Sequence, residues 1–191
     1  MDATIRERPI IFRGDGVLGI LEDRKTQTRR VIKPQPEENY LDGFRLQRGI
    51  DTIDLIYYPG GRSWAKIIKC PYGKRGTRLW CRETFTEIVH GEKVIYRADL
   101  NKYSETIQWT SPIFMPRWAS RITLEIVNVR VERIQSISEA DAFAEGISGG
   151  DWLGDPVGEF AKLWNSINGK RGFGWDLNPY VWVLEFKRIK L

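Results

Sequence analysis

The sequence predicts an α+β domain built on a small, mostly antiparallel β-barrel. Residues 122–132 form a long, β-branched run that alternates in polarity. Residues 180–186 are almost continuously apolar, as in a strand lying centrally in a sheet. Helical patterns are few and short, whereas short extended segments recur along the chain. At 191 residues, 41% of them hydrophobic, the chain is long enough for a real core in one domain.

Taken in order, Pro9, Ile10, Ile11 and Phe12 read as a short strand, broken by Gly14-Asp15-Gly16. Val17, Leu18, Ile20 and Leu21 then follow helical spacing to about Asp23. In the next segment Thr26, Thr28, Val31 and Ile32 favour an extended chain, so it leaves the helix as a turn and becomes a strand that Pro34 and Pro36 stop. Residues 35–62 alternate poorly and read as an excursion with a hairpin across 54–58. Gly73-Lys74-Arg75-Gly76 is a turn. Residues 77–83 are a strand with Leu79 and Cys81 on one face and Arg78, Trp80 and Arg82 on the other. Residues 94–97 are a further short strand. Pro112 and Pro116 bracket a loop that leads through 117–121 into the long strand. Ser138 with Asp141 fits a capping box and Gly146 a C′ stop, so 139–145 is a helix of about two turns. Residues 156–168 are a second amphipathic helix, with Phe160, Leu163, Trp164 and Ile167 on one face. Asn178-Pro179 turns the chain into the apolar strand.

A net charge of +5 and a pI near 9.2 lean mildly toward polyanionic partners. No apolar run reaches the length of a membrane span, and the charged N-terminal stretch holds no hydrophobic signal segment. Two cysteines, Cys70 and Cys81, make no disulfide scaffold, so a reducing, cytoplasmic compartment is expected. With one histidine, His90, a Ser-His-Asp set or a multi-histidine metal site is disfavoured. Cys70, Cys81 and His90 lack metal-ligand spacing, and His90 reads as an exposed turn residue before Gly91. Gly60-Gly61 and Gly149-Gly150 match no phosphate loop, and no paired acidic motif points to two-metal chemistry. Neither a metal nor a cofactor is expected.

Residues 24–33 hold five cations, Arg24, Lys25, Arg29, Arg30 and Lys33, and no acid. That density costs self-repulsion unless an anion or a carboxylate lies close by. In a turn at a helix end, Lys25 and Thr28, three apart, can converge on one pocket. The flanking Arg24, Arg29 and Arg30 disfavour the ammonium form of Lys25 and make it a more accessible base. A threonine hydroxyl needs such a base to act as a nucleophile. Glu145 falls in the last turn of its helix, where a carboxylate meets the negative end of the dipole. A cationic pocket facing it would explain the placement. The plainer alternatives are a solvated basic turn and a tolerated surface glutamate. Eight Trp, seven Tyr and eight Phe read mostly as core. Trp80 and Trp118 are candidate platforms for a stacked base, and Arg82 widens the basic surface beside them.

These residues resemble a known family. Lys25-Thr26-Gln27-Thr28-Arg29-Arg30 is similar to the signature of the ASCH domain, Gly-x-Lys-x-x-Glu-x-Arg, with Lys25, Thr28 and Arg30 at the Lys, Glu and Arg positions and Asp23 where the signature has Gly. Threonine in place of glutamate resembles the small bacterial ASCH amidohydrolases that remove acetyl from N4-acetylcytidine. The helix 138–145, ending on Glu145, and the closing strand 183–187 are similar to the same family. The likeness covers roughly 9–33, 73–85, 121–147 and 180–188. The chain then reads as a single domain, 1–191, with insertions near 35–70, 97–120 and 148–178, and it looks like longer proteins carried by phages and prophages.

The resemblance implies a PUA-like barrel and an amidohydrolase acting on an N4-acylated cytidine-type nucleoside. Thr28 would be the nucleophile, Lys25 the base and Glu145 the proton donor or acceptor at the exocyclic nitrogen, with Arg30 shaping the pocket or holding an anion. It implies no cofactor and no membrane. The partner would be a nucleoside or a nucleic acid, RNA ahead of DNA. Two other readings stay open. One is a non-catalytic RNA, DNA or modified-base binding module in which Lys25, Arg29 and Arg30 contact phosphates and Trp80 or Trp118 stacks on a flipped or unpaired base, with Arg24 a further candidate for substrate or anion binding. The other is a metal-independent nuclease.

Overall fold

The computed structural model describes residues 7–36, 45–49, 53–57, 65–89, 91–100, 107–148 and 154–190. In chain order these form β1 (Glu7–Ile11), α1 (Gly14–Leu21), β2 (Gln27–Val31), β3 (Arg45–Arg48), β4 (Ile53–Tyr57), β5 (Lys66–Lys69), β6 (Arg78–Arg82), β7 (Phe85–Val89), β8 (Lys93–Tyr96), β9 (Thr123–Arg133), α2 (Glu139–Ala144), α3 (Pro156–Asn168) and β10 (Tyr180–Ile189). His90, Tyr58, Pro59, Gly43, Gly60-Gly61 and Gly149-Gly150 lie outside the described residues.

The main sheet has five strands in the order β1-β6-β9-β10-β2. β10 pairs antiparallel with β9 from Tyr180↔Arg133 to Ile189↔Thr123, and with β2 from Val181↔Val31 to Glu185↔Gln27. Its continuous apolar run has a direct cause. Trp182 and Leu184 enter a core with Phe12, Ile20, Leu124 and Ile126, while Val181 and Val183 enter a second core with Ile134, Ala142, Phe160 and Trp164. A strand covered on both faces has no polar side to present.

Among the described residues the expected barrel is absent, because the sheet stays open with β1 and β2 as its edges. Closure would require those two strands to pair. β1 instead runs parallel to β6 and carries Pro9, which has no N–H for a further strand. The Ile11 carbonyl accepts a hydrogen bond from Arg30 Nη2 at 2.6 Å. A side chain, not a ladder, links the edges at that point. The molecule is therefore α+β with an open, mixed sheet.

Residues 53–57 are not one arm of a hairpin within 54–58. They are the central strand of a three-stranded antiparallel sheet, β3-β4-β5. Leu55, Ile68 and Cys70 from this segment sit in the main core. β7 and β8 form a separate antiparallel hairpin. Cys70 and Cys81 are buried free thiols. Among the described residues, no helix is long and apolar enough to cross a membrane.

Candidate functional site

The gap left by the open sheet is a cavity of about 880 Å³. One side comes from β1 and the start of α1, with Ile11, Phe12 and Gly16. Another comes from Lys25 and β2, with Thr28, Arg29 and Arg30. Residues of α3 and the turn after it, Phe160, Leu163, Trp164 and Phe173, supply an aromatic wall, and Tyr72 adds to it. The volume lies in the range of small-molecule sites, about 300–1,000 Å³. β2 is an edge strand, so the cavity reaches residues from both of its faces, Thr28 as well as Arg29.

Local structure delivers Lys25 and Glu145 to this cavity. Ser138 Oγ accepts the Asp141 N–H at 3.1 Å and starts α2. Gly146 ends it at φ +89°, its N–H donating to the Phe143 carbonyl and that of Ile147 to the Ala142 carbonyl. This is a Schellman stop. The Thr26 N–H donates to the Ala144 carbonyl at 2.9 Å, which ties the start of β2 to the helix end. Lys25 passes between two glycines: a Cβ at Gly19 would lie 3.2 Å from Lys25 Cβ, and one at Gly146 3.1 Å.

Lys25 Nζ donates to Glu145 Oε2 at 2.6 Å and to the Glu145 carbonyl at 2.6 Å. Both residues are buried, 8% and 7% exposed. The cation meets both the side-chain carboxylate and the negative end of α2, which accounts for an acid in the last turn. The Lys25 amine is held below its ordinary value of 10.5. Burial is the largest cause, opposed by the charge and hydrogen bond of Glu145, with Arg30 and Arg29 lowering it further. The flanking arginines act in the expected direction, but burial outweighs them. Arg24 takes no part in this: its Nε donates to Glu22 Oε2 at 2.7 Å and its Nη1 to the Gly146 carbonyl at 3.2 Å.

Thr28 is 4% exposed, lines the cavity and has no side-chain hydrogen bond to another described residue. Its neighbour Arg29 is fully committed on the other face. It pairs with Glu132 at 3.1 Å, Asp141 at 3.0 Å and Glu145 Oε1 at 3.4 Å, and donates to Gln27 Oε1 at 2.5 Å. Expected as an anion contact for a ligand, Arg29 instead fixes the Glu145 carboxylate from the side opposite Lys25. Arg130 joins the same network through Glu132, Asp141 and Glu185. Burial raises the Asp141 carboxyl, yet Gln27, Arg29 and Arg130 together hold it below its ordinary value.

Lys25, Thr28, Arg29, Arg30 and Glu145 thus share one cavity. Arg24, Trp80, Arg82 and Trp118 are not among its lining residues. Trp80 is 8% exposed beneath two guanidiniums, Arg82 at 4.6 Å and Arg117 at 5.9 Å from its ring centre, which leaves no open face for a base. Arg82 also donates to the Ile113 carbonyl at 3.2 Å. Trp118 is half exposed at the surface. The aromatic wall escaped the sequence reading because its apolar spacing on α3 is the same as that of a core-facing helix. The chain matches no protein-family model, no curated protein and no solved structure.

Proposed function

We propose that the protein is an amidohydrolase acting on an N4-acylated cytidine-type nucleoside. The observation that carries this reading is the buried 2.6 Å contact of Lys25 Nζ with Glu145 Oε2, in a cavity also lined by Thr28. The likeness of Lys25, Thr28 and Arg30 to the amidohydrolase signature supports it. Asp23, where that signature has Gly, adopts φ +57°, a backbone conformation that glycine favours.

The pair holds one shared proton. Moving it from Lys25 to Glu145 yields an amine and a carboxylic acid, an uncharged arrangement that burial favours over the ion pair. The amine takes the Thr28 hydroxyl proton as Oγ bonds to the acyl carbon. The carbon–nitrogen bond breaks as the Glu145 acid protonates the exocyclic nitrogen, which leaves as the amine of cytidine. Acyl-Thr28, an ammonium and a carboxylate remain. Water then adds to the ester carbon, giving its proton to Glu145. The ester bond breaks, and Thr28 Oγ recovers a proton from Lys25. Acetic acid leaves, and the pair returns to its starting state.

Acetate release from N4-acetylcytidine tests this. Wild type is expected to turn over, Thr28→Ala to fall by about 10³-fold or more, and Thr28→Ser to retain part of the rate. Equal rates for wild type and Thr28→Ala remove Thr28 as the nucleophile.

A further inference from the structure

We infer that the mouth of the cavity is a phosphate-binding site, so that the compound held there is a phosphorylated nucleoside and not a free one. This rests on the nucleoside reading above. Five cations line the cavity without a carboxylate partner among the described residues: Arg13, Arg30, Lys33, Lys69 and Arg171. Arg13 Nη1 donates to Ser166 Oγ at 3.2 Å, and Arg30 Nη2 to the Ile11 carbonyl. Lys33 Nζ stands 4.9 Å from the Phe173 ring centre, as Arg30 stands 5.1 Å from that of Phe12. Elsewhere in the protein Arg117, Arg121 and Arg130 each hold carboxylates.

The carboxylates at the cavity do not offset this charge. Glu145 is engaged by Lys25 and Arg29, which leaves Asp15. Two further features point to an anion. The Nε atom of Arg30 is buried without a hydrogen-bond partner. The eight-residue helix α1 has no side-chain N-cap, and Arg13, Asp15 and Gly16 at its start line the cavity. A neutral nucleoside gives these donors nothing to neutralise. A phosphate oxygen cluster does, through charge-assisted hydrogen bonds.

Titration calorimetry of wild type with cytidine and with cytidine 5′-monophosphate tests the site without turnover, since neither ligand carries an acyl group. The monophosphate is expected to bind about tenfold tighter, with the gap narrowing as salt rises. Lys33 and Arg171 are exposed, so Lys33→Gln/Arg171→Gln leaves the core intact. In that variant the monophosphate affinity should approach that of cytidine, with cytidine unchanged. Equal wild-type affinities, or a gap that survives in the double variant, overturn the phosphate site. Failure of both ligands to bind overturns it together with the nucleoside reading. Acetate release with no preference for the monophosphate removes the phosphate site alone, and the preference without acetate release removes the chemistry alone. Single-stranded pentacytidylate distinguishes the two sources of phosphate. Tighter binding than the monophosphate supports a phosphodiester strand, and weaker binding supports a mononucleotide.

Discussion

Lys25 Nζ lies 2.6 Å from both the carboxylate and the backbone carbonyl of Glu145, a residue 120 positions away. One cation thereby closes the end of α2 and meets a buried acid. The contact has structural weight whatever chemistry it carries, so stability and turnover have to be measured separately.

Removing either partner has unequal consequences. Lys25→Met leaves the Glu145 carboxylate with Arg29 at 3.4 Å and its carbonyl without the ammonium. A loss of about 3–5 kcal/mol is expected. Glu145→Gln should cost less, because Lys25, already lowered by burial, can shed its proton and still donate to the residue 145 carbonyl. Urea denaturation of both variants checks the order. Equal losses argue that Lys25 stays charged after its partner is removed.

The lowered Lys25 value gives a pH dependence of definite sign. Between that value and 10.5 the unfolded chain binds more protons at this residue than the folded one. Stability therefore rises with pH across that interval, and Lys25→Met should lack this rise. In turnover, the alkaline limb marks loss of the proton shared by the pair and should lie below pH 10.5. Arg30→Gln removes one of the lowering charges, so its limb should move to higher pH. A limb unmoved in Arg30→Gln removes Lys25 as the titrating group.

Asp141 predicts the opposite edge. Its folded value is lowered from 3.8, so its contribution is present above that pH and lost as pH falls through the folded value. Asp141→Asn should flatten the acid limb of the stability profile in urea melts between pH 2 and pH 5 (about the range in which carboxylates titrate). An unchanged acid limb assigns acid sensitivity to other carboxylates.

Gly146 and Gly172 form a matched pair. Both adopt positive φ, +89° and +80°, but a Cβ at Gly146 would meet Lys25 Cβ at 3.1 Å, whereas nothing lies within 4 Å at Gly172. Gly172→Ala should lose only the backbone term, about 1–2 kcal/mol. Gly146→Ala should lose more and also lower kcat, because Lys25 must shift. Thermal melts and acetate release on both variants check this. Equal losses with unchanged kcat mean that Lys25 accommodates the methyl group freely.

Much of the fold was legible because its cause is local. Ser138, Asp141 and Gly146 bound α2 through hydrogen bonds within a few residues of one another, and the apolar run 180–186 announces a strand covered on both faces. Lys25, Thr28 and Glu145 stood out by residue type in a sparse chemical background. β3, β5 and β7 were less visible. Their short segments, such as Arg45–Arg48 with every residue exposed, become strands by pairing with the adjoining strand, β4 or β8, and not through their own alternation.

By itself the sequence determined where the chain turns, which runs must be buried, and that a dense cationic segment needs a counter-charge. These depend on the residues' own geometry, apolar surface and charge. Tertiary structure alone decided that the sheet stays open between β1 and β2, that α3 walls the resulting gap, and that Arg29 is spent on Glu132, Asp141 and Glu145 while Arg30 remains at the cavity. Adjacent arginines on a strand point to opposite faces. What the Arg29 face meets is set by elements about a hundred residues away, and no local pattern encodes that pairing.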